Sequence, residues 1–128
     1  MTDKVKKVLQ NNLWYLATYD DEPNAIPVAF KDVSEDGKLL VGDVFLETTL
    51  NNIRANGKIA VSVCDGTTME GYQLKGTAEY VTEGSTVEAF AKAVETMFQG
   101  AATAKGALII TPERIIVTTP GTDNKKEL

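Results

Sequence analysis

The stretch "VGDVFLETTLNNIRANGKIAVSV", residues 41–63, predicts a strand, a short helix and a second strand in immediate succession. Runs of β-branched and aliphatic residues predict strands over 39–45 and 58–64. Between them, aliphatic residues three positions apart and a closing Asn-Gly pair predict a helix over 48–56. Because this helix is inserted between two strands, its first turn is the part of the stretch to examine for a ligand.

Two adjacent threonines, Thr48 and Thr49, stand at the start of that helix. The N-terminus of a helix has unpaired backbone N–H groups and a partial positive charge, which suit a phosphate or a carboxylate. The two hydroxyl groups would add donors at the same point. One threonine could instead serve only as the N-cap, which stabilises a helix by about 1 kcal/mol. The residues themselves favour the N-cap, because threonine caps are commoner than phosphate sites.

The rest of the chain is rich in strands. One further helix is predicted at the N-terminus, capped by Thr2 or Asp3, and another after a capping box formed by Ser85 and Glu88. The predicted strands cover 13–20, with both faces buried, 25–31, 39–45, 58–64, 69–81 and two short segments of 106–119 separated by a turn at Pro112. Strands and helices do not alternate, which argues against a parallel sheet. The predicted fold is therefore mainly β, an antiparallel sheet of six to seven strands, closed or nearly closed, with flanking helices.

Length and composition indicate one globular domain. The chain has 128 residues, of which 43% are hydrophobic, and a formal net charge of −5. An acidic chain is unsuited to binding nucleic acid, and no segment approaches the roughly 20 apolar residues of a membrane span. The N-terminus also lacks the apolar core of a signal peptide. We therefore expect a cytoplasmic protein with a single domain over 1–128, whose last residues, 119–128, form a flexible tail.

Histidine is absent, which excludes a Ser-His-Asp triad, a Cys-His pair and a histidine metal site. The one cysteine, Cys64, ends an apolar strand and is expected to be an inert buried thiol. Paired carboxylates occur only in turns and lack the spacing of a calcium loop, so no metal site is expected. No side chain is assigned as catalytic, and a bound cofactor would have to supply any demanding chemistry.

The order of several segments resembles that of a known family. These segments are "LWYLATYDDEPNAIPVAFK" (13–31), the turn "EDGK" (35–38), "LLVGDVFLETTLNNIRANGKIAVSV" (39–63) and "GYQLKGTAEYVTEG" (71–84). Together they resemble the FMN-binding split-barrel family, which includes pyridoxamine 5'-phosphate oxidase-like proteins and small flavin-nucleotide-binding proteins. The resemblance extends over nearly the full length. It implies a split β-barrel, a homodimer, and FMN in a groove between the two subunits.

The resemblance also implies which residues bind FMN. The phosphate-binding positions of the family fall on Thr48 and Thr49. Glu47, Thr48 and Thr49 stand where the family often has Lys or Arg. A cation from elsewhere is therefore expected, with Lys31 as the first candidate and Arg54 as the second. The positions implied for the isoalloxazine ring are Ile26, Pro27, Val28, Gly42, Asp43, Val44 and Phe45. A bend of the barrel at Gly42, and an Asp43 that caps its own turn, are alternative interpretations that stay open.

The resemblance implies a redox function. We expect a flavin-dependent oxidoreductase or an electron carrier that exchanges electrons with a small-molecule donor or acceptor. True pyridoxamine 5'-phosphate oxidase activity is not expected, because the chain is shorter than that enzyme and has no Arg- and His-rich site for a substrate phosphate. The alternative is a non-catalytic module that binds or stores a flavin or a deazaflavin, which the absence of a basic residue near Thr48 favours slightly.

Overall fold

The computed structural model describes all residues, 1–128. It contains three α-helices and seven β-strands. Along the chain these are α1 (Asp3–Asn11), β1 (Trp14–Tyr19), β2 (Pro23–Val28), β3 (Lys31–Val33), β4 (Leu39–Gly42), α2 (Glu47–Asn56), β5 (Lys58–Cys64), β6 (Gly71–Val81), α3 (Ser85–Met97) and β7 (Ala107–Val117). None of the helices has both the length and the apolar character that crossing a membrane requires.

All seven strands form one antiparallel sheet in the order β2-β1-β5-β6-β7-β4-β3. The sheet curls into a half-barrel with the three helices beside it, so the predicted class, a mainly β split barrel with flanking helices, is confirmed. The edge strands β2 and β3 are joined through Ala29 and Phe30, where the chain passes from one edge of the sheet to the other. The predicted strand over 25–31 is therefore two strands, because its halves pair with different neighbours, β1 and β4.

The segment predicted as two short strands around Pro112 is one continuous strand, β7. Proline has no N–H for the ladder, and it is tolerated here because the pairing of β6 with β7 shifts register between Lys75 and Gly76, opposite Pro112. A Cβ atom on Gly76 would lie 2.0 Å from the carbonyl oxygen of Thr111. The close approach of the two strands at the shift therefore leaves no room for a side chain at position 76.

Two of the predicted helix starts are wrong. The N-cap of α2 is Leu46, without a side-chain cap, so Thr48 and Thr49 both lie inside the first turn and neither is the N-cap. The N-cap of α3 is Gly84, so no capping box forms between Ser85 and Glu88. The chain enters α2 from a turn held by the Asp43 carboxylate, and it enters α3 through Gly84, which has a φ of 114°. The N-cap of α1 is confirmed, because Thr2 accepts a 3.3 Å hydrogen bond from the Val5 N–H.

The main core fills the inside of the curled sheet. Trp14 is fully buried there and donates a 2.8 Å hydrogen bond from Nε1 to the carbonyl oxygen of Leu9, which attaches α1 to the sheet. A second, smaller core lies between α3 and the sheet. Residues of β1 alternate between buried and exposed, so Tyr15 and Tyr19 face outward. The prediction that both faces of this strand are buried is wrong, because no element of the chain covers its outer face.

The C-terminal residues also differ from the expectation of a loose tail. They turn back along β7, where the Leu128 N–H donates a 2.9 Å hydrogen bond to the carbonyl oxygen of Ile115. An ion pair between Arg114 and Glu127 joins this C-terminal segment to β7. The prediction of a buried thiol is wrong as well, because Cys64 is exposed at the end of β5, on the outer side of the sheet.

Candidate functional site

An apolar cavity lies between the end of β2, the turn after β4 and the end of α3. Its volume is about 270 Å³, and eight of its ten lining residues are hydrophobic. Six of the ten residues that the sequence predicts for a cofactor line it, namely Ile26, Pro27, Val28, Gly42, Val44 and Phe45. The other lining residues are Ala29, Phe30, Leu46 and Phe98. The structure thus brings the predicted ring-binding segments together, while their role toward a cofactor stays a prediction.

Two residues determine the floor and the mouth of this cavity. A Cβ atom on Gly42 would lie 2.9 Å from Cγ of Phe90, so glycine is needed here for the packing of α3 against β4. This packing supports a structural role for Gly42, beside its place in the cavity wall. Phe45 is 80% exposed at the mouth, although exposure of a large aromatic side chain is unfavourable in water. An exposed aromatic ring beside an apolar cavity is suited to stack on a planar ligand.

Asp43 points away from the cavity and into its own turn. Asp43 as a whole is 4% exposed. Its Oδ1 accepts a 3.2 Å hydrogen bond from the Leu46 N–H, and its Oδ2 accepts a 2.5 Å hydrogen bond from the Tyr80 hydroxyl. Burial, and then the hydrogen bond to Asp43, raises the pKa of Tyr80 to about 12. Of the two interpretations of Asp43, the structure therefore favours the turn cap over a direct contact with the ring.

The hydroxyl group of Thr49 is also engaged within the chain. Thr49 is 1% exposed, and its Oγ1 accepts a 3.1 Å hydrogen bond from the side-chain amide of Asn24. Nearby, Thr18 accepts hydrogen bonds from Asn24 at 3.5 Å and from Asn52 at 3.0 Å. These bonds attach α2 to β1 and to the start of β2. Thr48, by contrast, is exposed, so it is the threonine whose hydroxyl faces solvent.

The first turn of α2 adjoins the cavity and presents unpaired donors. Leu46, its N-cap, lines the cavity, and α2 has no side-chain cap. The N–H groups of Glu47, Thr48 and Thr49 donate no hydrogen bond within the chain, whereas the Leu50 N–H donates to the Leu46 carbonyl oxygen at 2.8 Å. Three N–H groups are therefore available for an anion beside the cavity, where the helix dipole also favours negative charge.

Neither of the two predicted cations contacts this helix start. The Lys31 ammonium group donates a 3.2 Å hydrogen bond to the carbonyl oxygen of Leu9 and lies 4.9 Å from the centre of the Trp14 ring. Partial burial lowers the pKa of Lys31, and Asp32 opposes that change. Arg54, in the last turn of α2, has its guanidinium carbon 5.5 Å from the centre of the Tyr80 ring. The charged groups of Lys31 and Arg54 therefore contact other parts of the chain and lie away from the start of α2.

A third cation, Lys105, lies near the helix start and was not predicted. It lines a groove of about 540 Å³ together with Glu47 and Glu95, and Val44 and Phe45 line both this groove and the apolar cavity. Its backbone N–H donates a 3.0 Å hydrogen bond to the Asp43 carbonyl oxygen, which brings it to this turn. In the sequence, Lys105 is a lone charge in the loop "GAATAKGA" (100–107), and no local pattern connects it to α2.

A larger cavity lies elsewhere in the chain. It measures about 590 Å³ and lies between the N-terminus, the start of β6 and the C-terminal turn. Only three of its twelve lining residues are hydrophobic, whereas pockets for aromatic cofactors are lined mainly by hydrophobic side chains. The smaller apolar cavity beside α2 is therefore the better candidate for a cofactor with an aromatic ring system.

Known proteins share both the sequence pattern and the fold. The sequence model of the pyridoxamine 5'-phosphate oxidase family matches residues 1–121. The uncharacterized protein MJ0282 of Methanocaldococcus jannaschii is 33% identical over 130 residues, which cover 98% of this chain and 86% of that protein. The crystal structure of HupZ from Group A Streptococcus is 32% identical, with a TM-score of 0.81 over 96% of this chain and 98% of that chain. An FMN-binding protein from Syntrophomonas wolfei has a TM-score of 0.80 over 94% of this chain and 87% of that one, but its 16% identity is evidence for the fold alone.

Proposed function

The chain belongs to the pyridoxamine 5'-phosphate oxidase family, and from this premise we propose that it binds FMN and acts in electron transfer. The observation that carries the proposal is the apolar cavity of about 270 Å³ beside the uncapped first turn of α2. A flavin mononucleotide has an apolar ring system at one end and a phosphate at the other. The cavity suits the first, and the three unpaired N–H groups suit the second.

The ring system would lie in the cavity with one face against the end of β2. The isoalloxazine ring would contact Ile26, Pro27 and Val28 on one side and Val44 on the other, with Phe45 at the mouth. Apolar contact of this kind excludes water from the ring, and it leaves backbone groups to bind the polar edge. The FMN-binding protein from Syntrophomonas wolfei has the same fold, which supports FMN as the ligand to test.

The phosphate would lie at the first turn of α2. The N–H groups of residues 47–49 and the exposed Thr48 hydroxyl are the donors there, and Lys105 is the cation that lines the adjoining groove. Glu47 and Glu95 line the same groove and oppose a phosphate. This balance of charges predicts that phosphate contributes less to affinity than it would beside the Lys or Arg expected from the family.

A homodimer would complete the site. The cavity volume of about 270 Å³ is below the roughly 300–1,000 Å³ of pockets that enclose a cofactor. One chain therefore covers only part of the ring system, and a second copy would cover the remainder. The outer face of β1, where Tyr15 and Tyr19 are each about half exposed, provides apolar surface for such an association.

FMN would supply the redox chemistry, and the chain would bind and orient it. None of the ten residues that line the cavity has a titratable side chain, so no acid or base of the chain stands beside the ring. A small-molecule donor or acceptor would therefore reach a ring surrounded by apolar groups. The same lining offers no cation for a second phosphate, which supports a reaction other than the oxidation of pyridoxamine 5'-phosphate.

A deazaflavin or flavin storage module is the second candidate function. The groove that adjoins the cavity is about twice as large as the cavity itself, 540 Å³ against 270 Å³. A ligand with a longer tail than FMN would fill it more completely. Competition between FMN and a deazaflavin cofactor for the purified protein distinguishes the two occupants, and turnover distinguishes an enzyme from a storage module.

Titration of FMN into the apo-protein, followed by flavin fluorescence, tests the proposal. We expect saturable quenching of the flavin fluorescence. If the protein is an enzyme, NADH or NADPH should also bleach the bound flavin, with continued turnover.

Phe45→Ala should weaken FMN binding by about tenfold, since aromatic stacking on a base contributes about 1–3 kcal/mol. Met97→Ala is the control, because Met97 is also an exposed side chain (66%) but does not line the cavity. Absence of quenching, or equal affinity of both variants, would contradict the proposal.

A further inference from the structure

Two tyrosines of β6 make the same kind of hydrogen bond in different settings. The Tyr72 hydroxyl donates to Oε2 of Glu70 at 2.6 Å, and the Tyr80 hydroxyl donates to Oδ2 of Asp43 at 2.5 Å. Glu70 is two residues from Tyr72, so the first bond links neighbours in the sequence. Asp43 is 37 residues from Tyr80, so the second bond joins β6 to the turn between β4 and α2.

Asp43 is fully engaged within that turn and its surroundings. Its carboxylate accepts from Leu46 and Tyr80, its backbone N–H donates to the Gly106 carbonyl oxygen at 2.8 Å, and its own carbonyl oxygen accepts from Lys105. The loop before β7 thus supports the backbone of Asp43, while β6 supports its side chain. Tyr80 is the only residue outside the turn that supports the carboxylate.

The position of the Tyr80 hydroxyl is itself closely determined. A Cβ atom on Gly106 would lie 2.4 Å from this hydroxyl oxygen, so the chain has a glycine where Tyr80 needs space. On the ring, the guanidinium group of Arg54 lies 5.5 Å from the centre. With its pKa raised to about 12, the hydroxyl group stays protonated at physiological pH and acts as a donor. The Asp43 carboxylate therefore accepts a hydrogen bond from a Tyr80 hydroxyl that stays protonated and is held in one position.

We infer that Tyr80 is a positioning residue for the cofactor site, acting through Asp43. The turn between Asp43 and α2 consists of Val44, Phe45 and Leu46, which form one wall of the apolar cavity. The last of these is also the N-cap of α2. A shift of Asp43 would therefore move the cavity wall and the anion-binding N–H groups together. The inference rests on the proposed function in assigning FMN as the ligand that this turn accommodates.

Tyr80→Phe removes the hydroxyl and keeps the ring, and Tyr72→Phe is the matched control on the same strand. The first measurement needs no cofactor: amide hydrogen exchange of Leu46 in the apo-protein. Because the Leu46 N–H donates to Asp43, we expect its exchange to accelerate about tenfold in Tyr80→Phe and to stay near the wild-type rate in Tyr72→Phe. The second measurement is FMN affinity, which should fall about tenfold in Tyr80→Phe and less than about twofold in Tyr72→Phe.

The outcomes separate the inference from the proposed function. If the wild-type protein fails to bind FMN, the proposed function is wrong, and the exchange of Leu46 still decides whether Tyr80 orders the turn. If the wild-type protein binds FMN and Tyr80→Phe retains both its affinity and the slow Leu46 exchange, the inference is overturned. Equal loss of affinity in both tyrosine variants would also overturn it, because that result indicates a general loss of stability.

Discussion

At the scale of single residues, the negative charge of Glu47 has two opposite effects: it stabilises α2 and it disfavours an anionic ligand at the start of α2. It occupies the first position of α2 and is exposed, so its carboxylate interacts favourably with the positive end of the helix dipole. The same position is the one that a phosphate would approach. Glu47 therefore stabilises the helix in the absence of ligand, and its negative charge repels an anionic ligand at the same helix end.

Glu47→Gln is predicted to strengthen FMN binding by about two- to fivefold, which corresponds to the roughly 0.3–1 kcal/mol of a charge at a helix end. Riboflavin, which has no phosphate, should bind both forms equally, and isothermal titration calorimetry with the two ligands measures the difference. Glu88→Gln is the control, because Glu88 is the acidic residue in the first turn of α3. Weaker FMN binding by Glu47→Gln would contradict a phosphate at α2.

The apolar residues that line the candidate site could be predicted from the sequence, but the polar residues that are free to bind a ligand could not. Ile26, Val28 and Phe45 lie in segments with recognisable strand and turn patterns, and the structure brings these segments to one cavity. Thr49 and Lys31 were candidate ligands of the phosphate, but their polar atoms are engaged by Asn24 and by the Leu9 carbonyl oxygen. Such partners are distant in sequence, so no local pattern indicates that these atoms are already bonded.

At the scale of secondary structure, the register shift between β6 and β7 determines how the sheet curls. These two strands are the longest of the sheet, and the shift lies between Lys75 and Gly76 in the middle of their pairing. Irregularities of this kind bend a strand and increase its twist. The shift therefore contributes to the curl that brings β4 and the turn after it toward the end of β2, where the apolar cavity lies.

Gly76→Ala is predicted to destabilise the protein by about 2–3 kcal/mol, because the added methyl group would overlap the carbonyl oxygen of Thr111. Gly66→Ala is the control, since a Cβ atom on Gly66 has no neighbour within 4 Å. Urea unfolding followed by circular dichroism measures both free energies of unfolding. Equal stability of the two variants would show that the register shift tolerates a side chain at position 76.

The type and order of the elements could be predicted from the sequence, but several of their boundaries could not. Periodicity and turn residues indicated all three helices, and the left-handed Gly57 at the end of α2, with φ of 72°, was predicted correctly. The starts of α2 and α3 differ, because a buried Asp43 and a glycine at position 84 replace the expected threonine and serine caps. The ends of a strand depend on which other strands pair with it, and local sequence propensity does not indicate those partners.

At the scale of the whole molecule, the chain presents an incomplete site. The apolar cavity and the adjoining groove are both open, the aromatic side chain at their junction is exposed, and the outer face of β1 has no covering layer. The formal net charge of −5 disfavours a polyanionic partner and does not prevent binding of one phosphate at a helix start. A second copy of the chain is the partner that would cover these surfaces in the proposed function.

The central claim is that the cavity beside α2 holds a flavin ring and that the first turn of α2 holds its phosphate. A crystal structure of the protein grown with FMN tests this claim most directly. We predict electron density for the ring against residues 26–28 and 44–45, with phosphate oxygens within hydrogen-bond distance of the N–H groups of residues 47–49. FMN bound instead in the larger polar cavity beside Tyr72, or a cavity beside α2 that stays empty at saturating FMN, would contradict it.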